Sequence, residues 1–276
     1  MSDLGVIGLI IALVTAIVSY QGLKDTRYFH QYSFEVGAIR SQRQYYRLLT
    51  SGFLHTSWLH LILNLFTIWC FGGILEQVLG MRSFLALYLL SMLGGNLFSL
   101  WLHRHEPQYT AVGASGGMSG LIFAGIALFP GIEVGMVGLY LPGWLYGLLY
   151  VLIAAYGVTT RTSNIGHDAH LVGALTGLLA AIGMVPGALL TNYWVILALA
   201  VPALAFLVLL ICRPAAYLQG NLLARPTRLQ TVDDRFHGRR KQQQVALDEL
   251  LEKVHSEGLA SLSKQELQQL KELSSW

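Results

Sequence analysis

The sequence predicts an all-α membrane protein in which several transmembrane helices form a bundle. Of its 276 residues, 54% are hydrophobic and only 12% are charged. The mean hydropathy of +0.53 is typical of chains that cross a membrane several times. Glycine is abundant at 29 residues, which suits helices that pack closely in lipid. We therefore expect a multi-pass integral membrane protein.

Seven apolar stretches are expected to be membrane spans, because crossing the hydrocarbon core takes about 20 residues. They cover roughly residues 4–21, 57–79, 83–103, 115–131, 135–157, 168–188 and 192–212. The fourth stretch is short, and Pro142 interrupts the fifth, since proline breaks the helical hydrogen-bond pattern. The first has neither the basic start nor the cleavage site of a secretory signal, so we expect it to be retained.

Two hydrophilic regions accompany the spans. Residues 22–56 are too long and too charged for a simple connector, and their aromatic side chains suit the membrane interface. A loop of this length is usually structured or functional.

Residues 213–276 are predicted to be an extramembrane tail. It begins with a basic linker and continues as two short amphipathic helices, near 243–256 and 264–273. The second helix is preceded by a capping-box pattern at 263–266.

A serine stands between glycines at the start of the fourth apolar stretch. The run is Val-Gly-Ala-Ser-Gly-Gly, with the serine at position 115. Flanking glycines let backbone N–H groups and a partner base approach a hydroxyl, as acyl-transfer chemistry requires. Taken alone, however, the run is more typical of a close helix contact. A catalytic interpretation of Ser115 therefore needs support from other parts of the chain.

Polar side chains inside apolar segments are expensive and are candidates for function. Five stand out: His55, His60, Asn64, Glu76 and His170. His60 and Asn64 are four residues apart, so on a helix they share one face. An imidazole N–H and an amide N–H that point to one place can stabilise a negatively charged oxygen. The alternative for this pair is a hydrogen-bond network that joins helices.

A glycine pattern predicts that the fourth and sixth spans cross closely. Glycines recur every fourth residue, at Gly116 and Gly120 in one span and at Gly173 and Gly177 in the other. Such bare faces let two membrane helices approach, which would bring Ser115 and His170 within hydrogen-bond reach. A serine and a neutral imidazole suffice as nucleophile and general base. Asp168 is two residues from His170 and would point elsewhere on a helix, so it is not included.

Read in order, the motifs are Tyr46-Arg47, then His55, His60 and Asn64, then Gly72, Glu76 and Gly80, then Gly113-Ala114-Ser115-Gly116, and finally Ala169-His170-Leu171-x-Gly173. In this order and spacing, over residues 44–180, the chain resembles the rhomboid intramembrane serine proteases. Each motif alone is weak, but their shared order and spacing along the chain are specific.

The resemblance implies a rhomboid-like six-helix bundle with a catalytic dyad of Ser115 and His170 and no acid. It also implies an oxyanion hole made by the Ser115 backbone N–H and the His60 and Asn64 side chains. Structural support would come from Arg47, His55, Glu76, Gly113, Gly116, Gly120 and Gly173, with Arg47 in a half-embedded first loop at 22–56. The implied partners are transmembrane protein substrates within the lipid bilayer; no cofactor, metal or nucleic acid is implied.

The expected organisation is a catalytic core over residues 1–190, an additional transmembrane helix at 191–212 and the tail at 213–276. The resemblance favours a bacterial inner membrane. Segment 22–56 and the tail are expected on the same side of the membrane as the active site. Their many basic residues would place that side in the cytoplasm. Typical bacterial family members have the opposite orientation, which we adopt as the expectation.

One departure and two alternatives remain. Many rhomboids carry an aromatic residue four positions after the serine, against the catalytic imidazole, whereas this chain has Ser119. We expect a neighbouring aromatic residue such as Phe123 to take that role.

The first alternative function is a catalytically inactive rhomboid relative that binds or escorts membrane proteins. The second is a metal site at His167 and His170, but no HExxH pair or third ligand is evident.

Overall fold

The computed structural model describes residues 4–136, 139–160 and 166–212, and in the tail residues 250–254, 262–263, 265–268 and 270. The chain divides into two compact units, Met1–Arg225 and Pro226–Trp276. The whole of the predicted basic linker and parts of both predicted tail helices lie outside the described residues.

The first unit is a helical bundle, which confirms the predicted all-α membrane class. Its long helices are α1 (Val6–Lys24), α5 (Trp58–Leu79), α6 (Met81–Leu102), α7 (Ser115–Leu128), α8 (Gly143–Thr160), α9 (His167–Met184) and α11 (Tyr193–Cys212). Within the described part of the chain, α1, α5, α6 and α11 are long and apolar enough to cross a membrane. The apolar helix α7 is shorter, at 14 residues.

The predicted fifth span was wrong at its beginning. Instead of a helix from residue 135, strands β3 (Glu133–Met136) and β4 (Leu139–Pro142) pair as an antiparallel hairpin, and α8 begins only at Gly143. Pro142 has no N–H to donate, so it suits the end of a strand next to a helix. A short apolar run does not by itself distinguish a strand from a helix.

The 22–56 region is folded, as its length and aromatic content predicted. It contains α2 (Thr26–Tyr32), β1 (Phe34–Glu35), α3 (Val36–Ser41), α4 (Arg47–Thr50) and a 3₁₀ turn, Ser51–Phe53. Phe34, Val36 and Ile39 form a small buried cluster. Strand β1 pairs with β2 (Thr110–Ala111), just before the serine motif. The region is therefore joined to the loop that leads to Ser115.

Helix α7 lies at the centre of the bundle, packed against α5, α6 and α9. All its residues from Gly116 to Ala127 are buried. A helix that is apolar on every side is stable only when it is enclosed in this way. The first residue of α7 is Ser115, so the enclosed helix carries the candidate nucleophile at its N-terminus.

The predicted close crossing of α7 and α9 is present. A β-carbon on Gly173 would lie 2.3 Å from the Gly116 carbonyl oxygen. One turn later, a β-carbon on Gly177 would lie 2.3 Å from the Gly120 Cα. Only glycine allows two backbones to approach so closely without a shift.

Two further elements complete the chain. The short helix α10 (Gly187–Thr191) leads into α11, whose residues Val195, Leu199 and Ala203 belong to the main hydrophobic core.

In the tail, the predicted capping box is confirmed, because the Ser263 N–H donates to Glu266 Oε2 at 2.7 Å and the Glu266 N–H donates to Ser263 Oγ at 3.2 Å.

Candidate active site

The loop before α7 holds Ser115 in a fixed position. The Gly113 N–H donates to the Ser51 carbonyl oxygen at 3.0 Å, which ties the serine motif to the 22–56 region. Gly113 has φ +133°, a conformation that other residues rarely adopt. A β-carbon there would lie 2.9 Å from His60 Cε1 and 3.3 Å from Ser115 Oγ. Glycine at 113 therefore leaves room for an imidazole beside the serine.

Ser115 and His170 are in direct contact, as the sequence predicted. Ser115 Oγ and His170 Nε2 are 2.5 Å apart, and both residues are partly exposed. His170 lies in the first turn of α9, so the contact joins the beginnings of two crossing helices. When the imidazole is neutral with its proton on Nδ1, Nε2 accepts from the serine hydroxyl. A general base next to a nucleophile requires this geometry.

His60 lies beside the serine at the start of α5. Its Nδ1 is 3.4 Å from the Thr56 hydroxyl, while its Cε1 and Nε2 edge faces Gly113. If Thr56 donates to Nδ1, the ring proton is on Nε2 and points towards the serine. Asn64, one turn further along α5, is buried, and its amide nitrogen donates to the His60 carbonyl oxygen at 2.9 Å.

His55 joins three parts of the chain behind the site. Its Nε2 accepts from the Ala114 N–H at 3.4 Å, and its Nδ1 is 2.8 Å from Ser19 Oγ. Ser19 in turn donates to the Phe53 carbonyl oxygen at 2.8 Å, so Nδ1 carries the proton and the ring is neutral. Burial, followed by the proximity of His60, lowers the pKa of His55 well below its usual range. His55 therefore fixes the backbone of Ala114, the residue before Ser115, by a hydrogen bond.

Asp168 points away from His170, as its spacing predicted. It accepts from Ser99 Oγ at 2.5 Å, and its other neighbours are His103, at 3.5 Å, and the Tyr109 hydroxyl, also at 3.5 Å. These contacts anchor the first turn of α9 to α6 and to the following loop. Ser99, His103 and Tyr109 could not be predicted from the sequence, because no motif spacing relates them to Asp168. Within the described ranges, no group of three side chains could hold a metal ion.

Arg47 and Glu76 occupy supporting positions away from the dyad. Arg47 is 7% exposed and donates from Nη1 to the carbonyl oxygens of His30, at 2.5 Å, and Ser33, at 2.7 Å. The Glu76 carboxylate accepts from three backbone N–H groups at the start of α1, those of Val6, Ile7 and Gly8, at 2.9–3.1 Å. Arg47 thus stabilises the first loop, and Glu76 stabilises the start of α1, each through a buried charged side chain.

The His170 imidazole contacts the ring of Tyr150 on α8, at 6.2 Å between centroids, and the ring of His167 on its own helix, at 5.6 Å. Phe123 is not the aromatic residue that takes the expected role. Phe123 instead packs against the Tyr150 ring, with centroids 6.1 Å apart and an interplanar angle of 68°. Sequence reasoning missed Tyr150, because its contact with His170 crosses between two helices at no recognisable spacing.

A serine in contact with an imidazole, at the junction of two crossing helices in a membrane bundle, is the arrangement of a candidate intramembrane acyl-transfer site. A family model described as the rhomboid domain matches residues 42–187. The chain belongs to the rhomboid family. A second model, a family of unknown function (DUF6576), matches residues 230–275, within the tail.

Three relatives illustrate the range of the family. The chain is 34% identical over 137 residues to rhomboid protein 1, mitochondrial, of Saccharomyces cerevisiae. The matched region covers 48% of this chain and 40% of the relative. It is 26% identical over 160 residues to the rhomboid protease GluP of Bacillus subtilis, covering 58% and 30% respectively. It is 31% identical over 157 residues to inactive rhomboid protein 1 of Drosophila melanogaster, covering 56% and 11%.

The matched region spans less than half of each of these relatives. Their names include both a protease and an inactive protein, so family membership supports either an intramembrane protease or an inactive rhomboid-like protein. The chain is an integral membrane protein. The expected bacterial inner membrane is not supported, because relatives of this similarity include mitochondrial proteins.

Proposed function

We propose that this chain is a serine endopeptidase that hydrolyses peptide bonds in the transmembrane segments of other membrane proteins. The observation that carries the proposal is the distance of 2.5 Å between Ser115 Oγ and His170 Nε2. At this distance the hydroxyl can pass its proton to the imidazole as the oxygen attacks a carbonyl carbon. Ser115 is the nucleophile and His170 the general base, without a carboxylate partner.

In the first half-reaction, Ser115 Oγ bonds to the scissile carbonyl carbon and His170 Nε2 takes the proton. The carbonyl oxygen becomes negative and needs donors. The backbone N–H of Ser115 is at the N-terminus of α7, where the helix dipole favours an anion. The imidazole of His60, which faces Gly113, supplies a second donor. Asn64 supplies a third through the amide hydrogen that does not bond the His60 carbonyl oxygen.

Breakdown of this tetrahedral intermediate completes the acylation, and the same groups then hydrolyse the acyl-enzyme. His170 gives its proton to the leaving amine, and the peptide C–N bond breaks to leave an acyl group on Ser115. His170 then deprotonates a water molecule, whose oxygen attacks the acyl carbon. The ester bond to Ser115 Oγ breaks as His170 returns the proton to that oxygen, which releases the new carboxyl end and regenerates the free serine. Because helical carbonyls are hydrogen-bonded within their own segment, the preferred substrates are spans that unwind easily.

We assign the catalytic core to residues 1–190, an additional transmembrane helix to 191–212 and an extramembrane appendage to 213–276. The assignment of the additional helix is supported by Asn192, whose amide nitrogen donates to the carbonyl oxygens of Ala127, at 2.9 Å, and Leu128, at 3.3 Å. These bonds fasten the start of α11 to the end of α7. The appendage contains the second family match, at residues 230–275.

The proposal is tested by cleavage in proteoliposomes. The substrate is a single-span protein whose transmembrane segment contains glycine and proline near one end. We expect wild-type protein and the control Ser83→Ala to cleave it, and Ser115→Ala and His170→Ala not to. Cleavage by Ser115→Ala at the wild-type rate would overturn the proposal.

The same experiment addresses the inactive alternative, which is motivated by the similarity to the inactive Drosophila protein. An inactive escort would bind the single-span substrate with equal affinity in its wild-type and Ser115→Ala forms and would cleave it in neither.

A further inference from the structure

Tyr150 places an aromatic ring against the imidazole of His170. The two ring centroids are 6.2 Å apart and the planes are inclined by 30°, which is a stacked arrangement. Tyr150 lies on α8 and His170 on α9, so the contact joins two helices. Stacking on one side limits the rotation of the imidazole about its side-chain bonds. Nε2 can then stay directed at Ser115.

The Tyr150 hydroxyl is held by Ser119, the residue at which many family members carry an aromatic side chain. Ser119 is fully buried and donates from Oγ to the Ser115 carbonyl oxygen at 2.6 Å. Ser119 Oγ also contacts the Tyr150 hydroxyl. Since the serine proton is used on the carbonyl, the tyrosine O–H is the donor in this second bond. A short chain of hydrogen bonds thus runs from Tyr150 to the backbone of the candidate nucleophile.

Helix α7 holds the tyrosine at a second point, one turn beyond Ser119. The Phe123 ring packs edge-on against Tyr150, and Phe123 is fully buried. Ser119 and Phe123 are four residues apart and lie on one face of α7. The ring on His170 therefore belongs to α8, but its position is set by α7.

We propose that Tyr150 is a positioning residue for His170 and that Ser119 holds it in place. The inference rests on the proposed function, because it concerns how Nε2 is presented to Ser115. A large side chain at position 119 would occupy the space of the Tyr150 hydroxyl. Serine at 119 and tyrosine at 150 are therefore a matched pair that supplies the missing aromatic contact.

The first test measures the rate of labelling by a fluorophosphonate probe in Tyr150→Leu, Tyr150→Phe and Ser119→Ala. The final extent of labelling reports the folded fraction, and the rate reports the nucleophile. We expect Tyr150→Leu to lower the rate constant roughly 10- to 100-fold, since misplacement by about 1 Å has effects of that size. Tyr150→Phe should restore most of the rate, and Ser119→Ala should be intermediate. Tyr146→Leu, one turn earlier on α8, is the matched control and should keep the wild-type rate.

The second test does not depend on activity. Protein labelled at histidine is examined by NMR, and the His170 signals are assigned with His170→Asn. We expect these signals to shift in Tyr150→Leu and to stay in place in Tyr150→Phe. If wild-type protein is not labelled by the probe, the proposed function fails, but the NMR result still decides whether Tyr150 orients His170. Unchanged His170 signals and an unchanged labelling rate in Tyr150→Leu would overturn the inference, as would an equal effect of Tyr146→Leu.

Discussion

Gly173 and Gly116 bring the backbones of α9 and α7 into contact, to the extent that a β-carbon on Gly173 would lie 2.3 Å from the Gly116 carbonyl oxygen. Gly116 directly follows Ser115, and Gly173 is three residues after His170. The helix crossing therefore sets the distance between the two side chains. Any change that separates the backbones at this point also separates the hydroxyl from the imidazole.

Gly173→Ala should destabilise the protein and reduce probe labelling of Ser115. The added methyl group meets backbone atoms, which cannot rotate aside, and overpacking of this kind costs about 1–3 kcal/mol or more. Gly183→Ala is a matched control on the same helix, because nothing lies within 4 Å of its β-carbon position. Thermal unfolding in detergent measures the stability of both variants. Equal melting temperatures for the two variants would contradict the close crossing.

Glu76→Gln should lower the stability of α1 without changing the dyad. One carboxylate accepts from three backbone N–H groups, and a neutral amide cannot replace all three bonds. We expect a loss of about 2 kcal/mol in the free energy of unfolding. The exposed Glu133 provides the control variant, Glu133→Gln. Wild-type stability in Glu76→Gln would show that the carboxylate is dispensable.

The stability of the protein should fall as the pH decreases through about 6.5, the value for histidine in an unfolded chain. The pKa of His55 is lowered in the folded state, mainly by burial. The unfolded state thus binds more protons below pH 6.5, and the contribution of the neutral ring, complete above that pH, is progressively lost. Melting temperatures of wild type and His55→Gln between pH 7.5 and 5.5 measure the effect. The decline should be smaller in the variant, and equal declines would contradict the role of His55.

Asp168→Asn should weaken the attachment of α9 to α6. The carboxylate accepts a hydrogen bond of 2.5 Å from Ser99 and lies 3.5 Å from His103. We expect a reduced melting temperature, and a similar reduction in Ser99→Ala, with little further loss in the double variant because the two residues share one contact. Additive losses would show that they act independently.

Features encoded in local spacing could be predicted from the sequence. The glycines at 116, 120, 173 and 177 predicted the helix crossing, and with it the contact between Ser115 and His170. The pattern Ser263 to Glu266 predicted its own capping bonds. The capping bonds lie within one helical turn, and the crossing is encoded by a matching four-residue glycine repeat on each of two helices, where the shared face follows directly from residue number.

Contacts between distant segments that no repeated spacing marks could not be predicted in this way. The bond between His55 and Ser19 and the stacking of Tyr150 on His170 depend on how separate helices pack. The β3–β4 hairpin was missed for another reason: its residues are apolar enough to resemble the beginning of α8. Hydrophobicity reports burial in lipid or protein, and it does not report backbone conformation over so few residues.

The most direct test of the central claim is covalent labelling of the full chain by a fluorophosphonate probe, with mass spectrometry to locate the adduct. If Ser115 and His170 form a catalytic dyad, the adduct is on Ser115, is absent in Ser115→Ala and forms very slowly in His170→Ala. His60→Ala should slow labelling by up to about 10²–10³, the usual effect of removing one oxyanion donor. An adduct that forms equally well in Ser115→Ala, or no adduct on wild-type protein that is folded and stable, would contradict the claim.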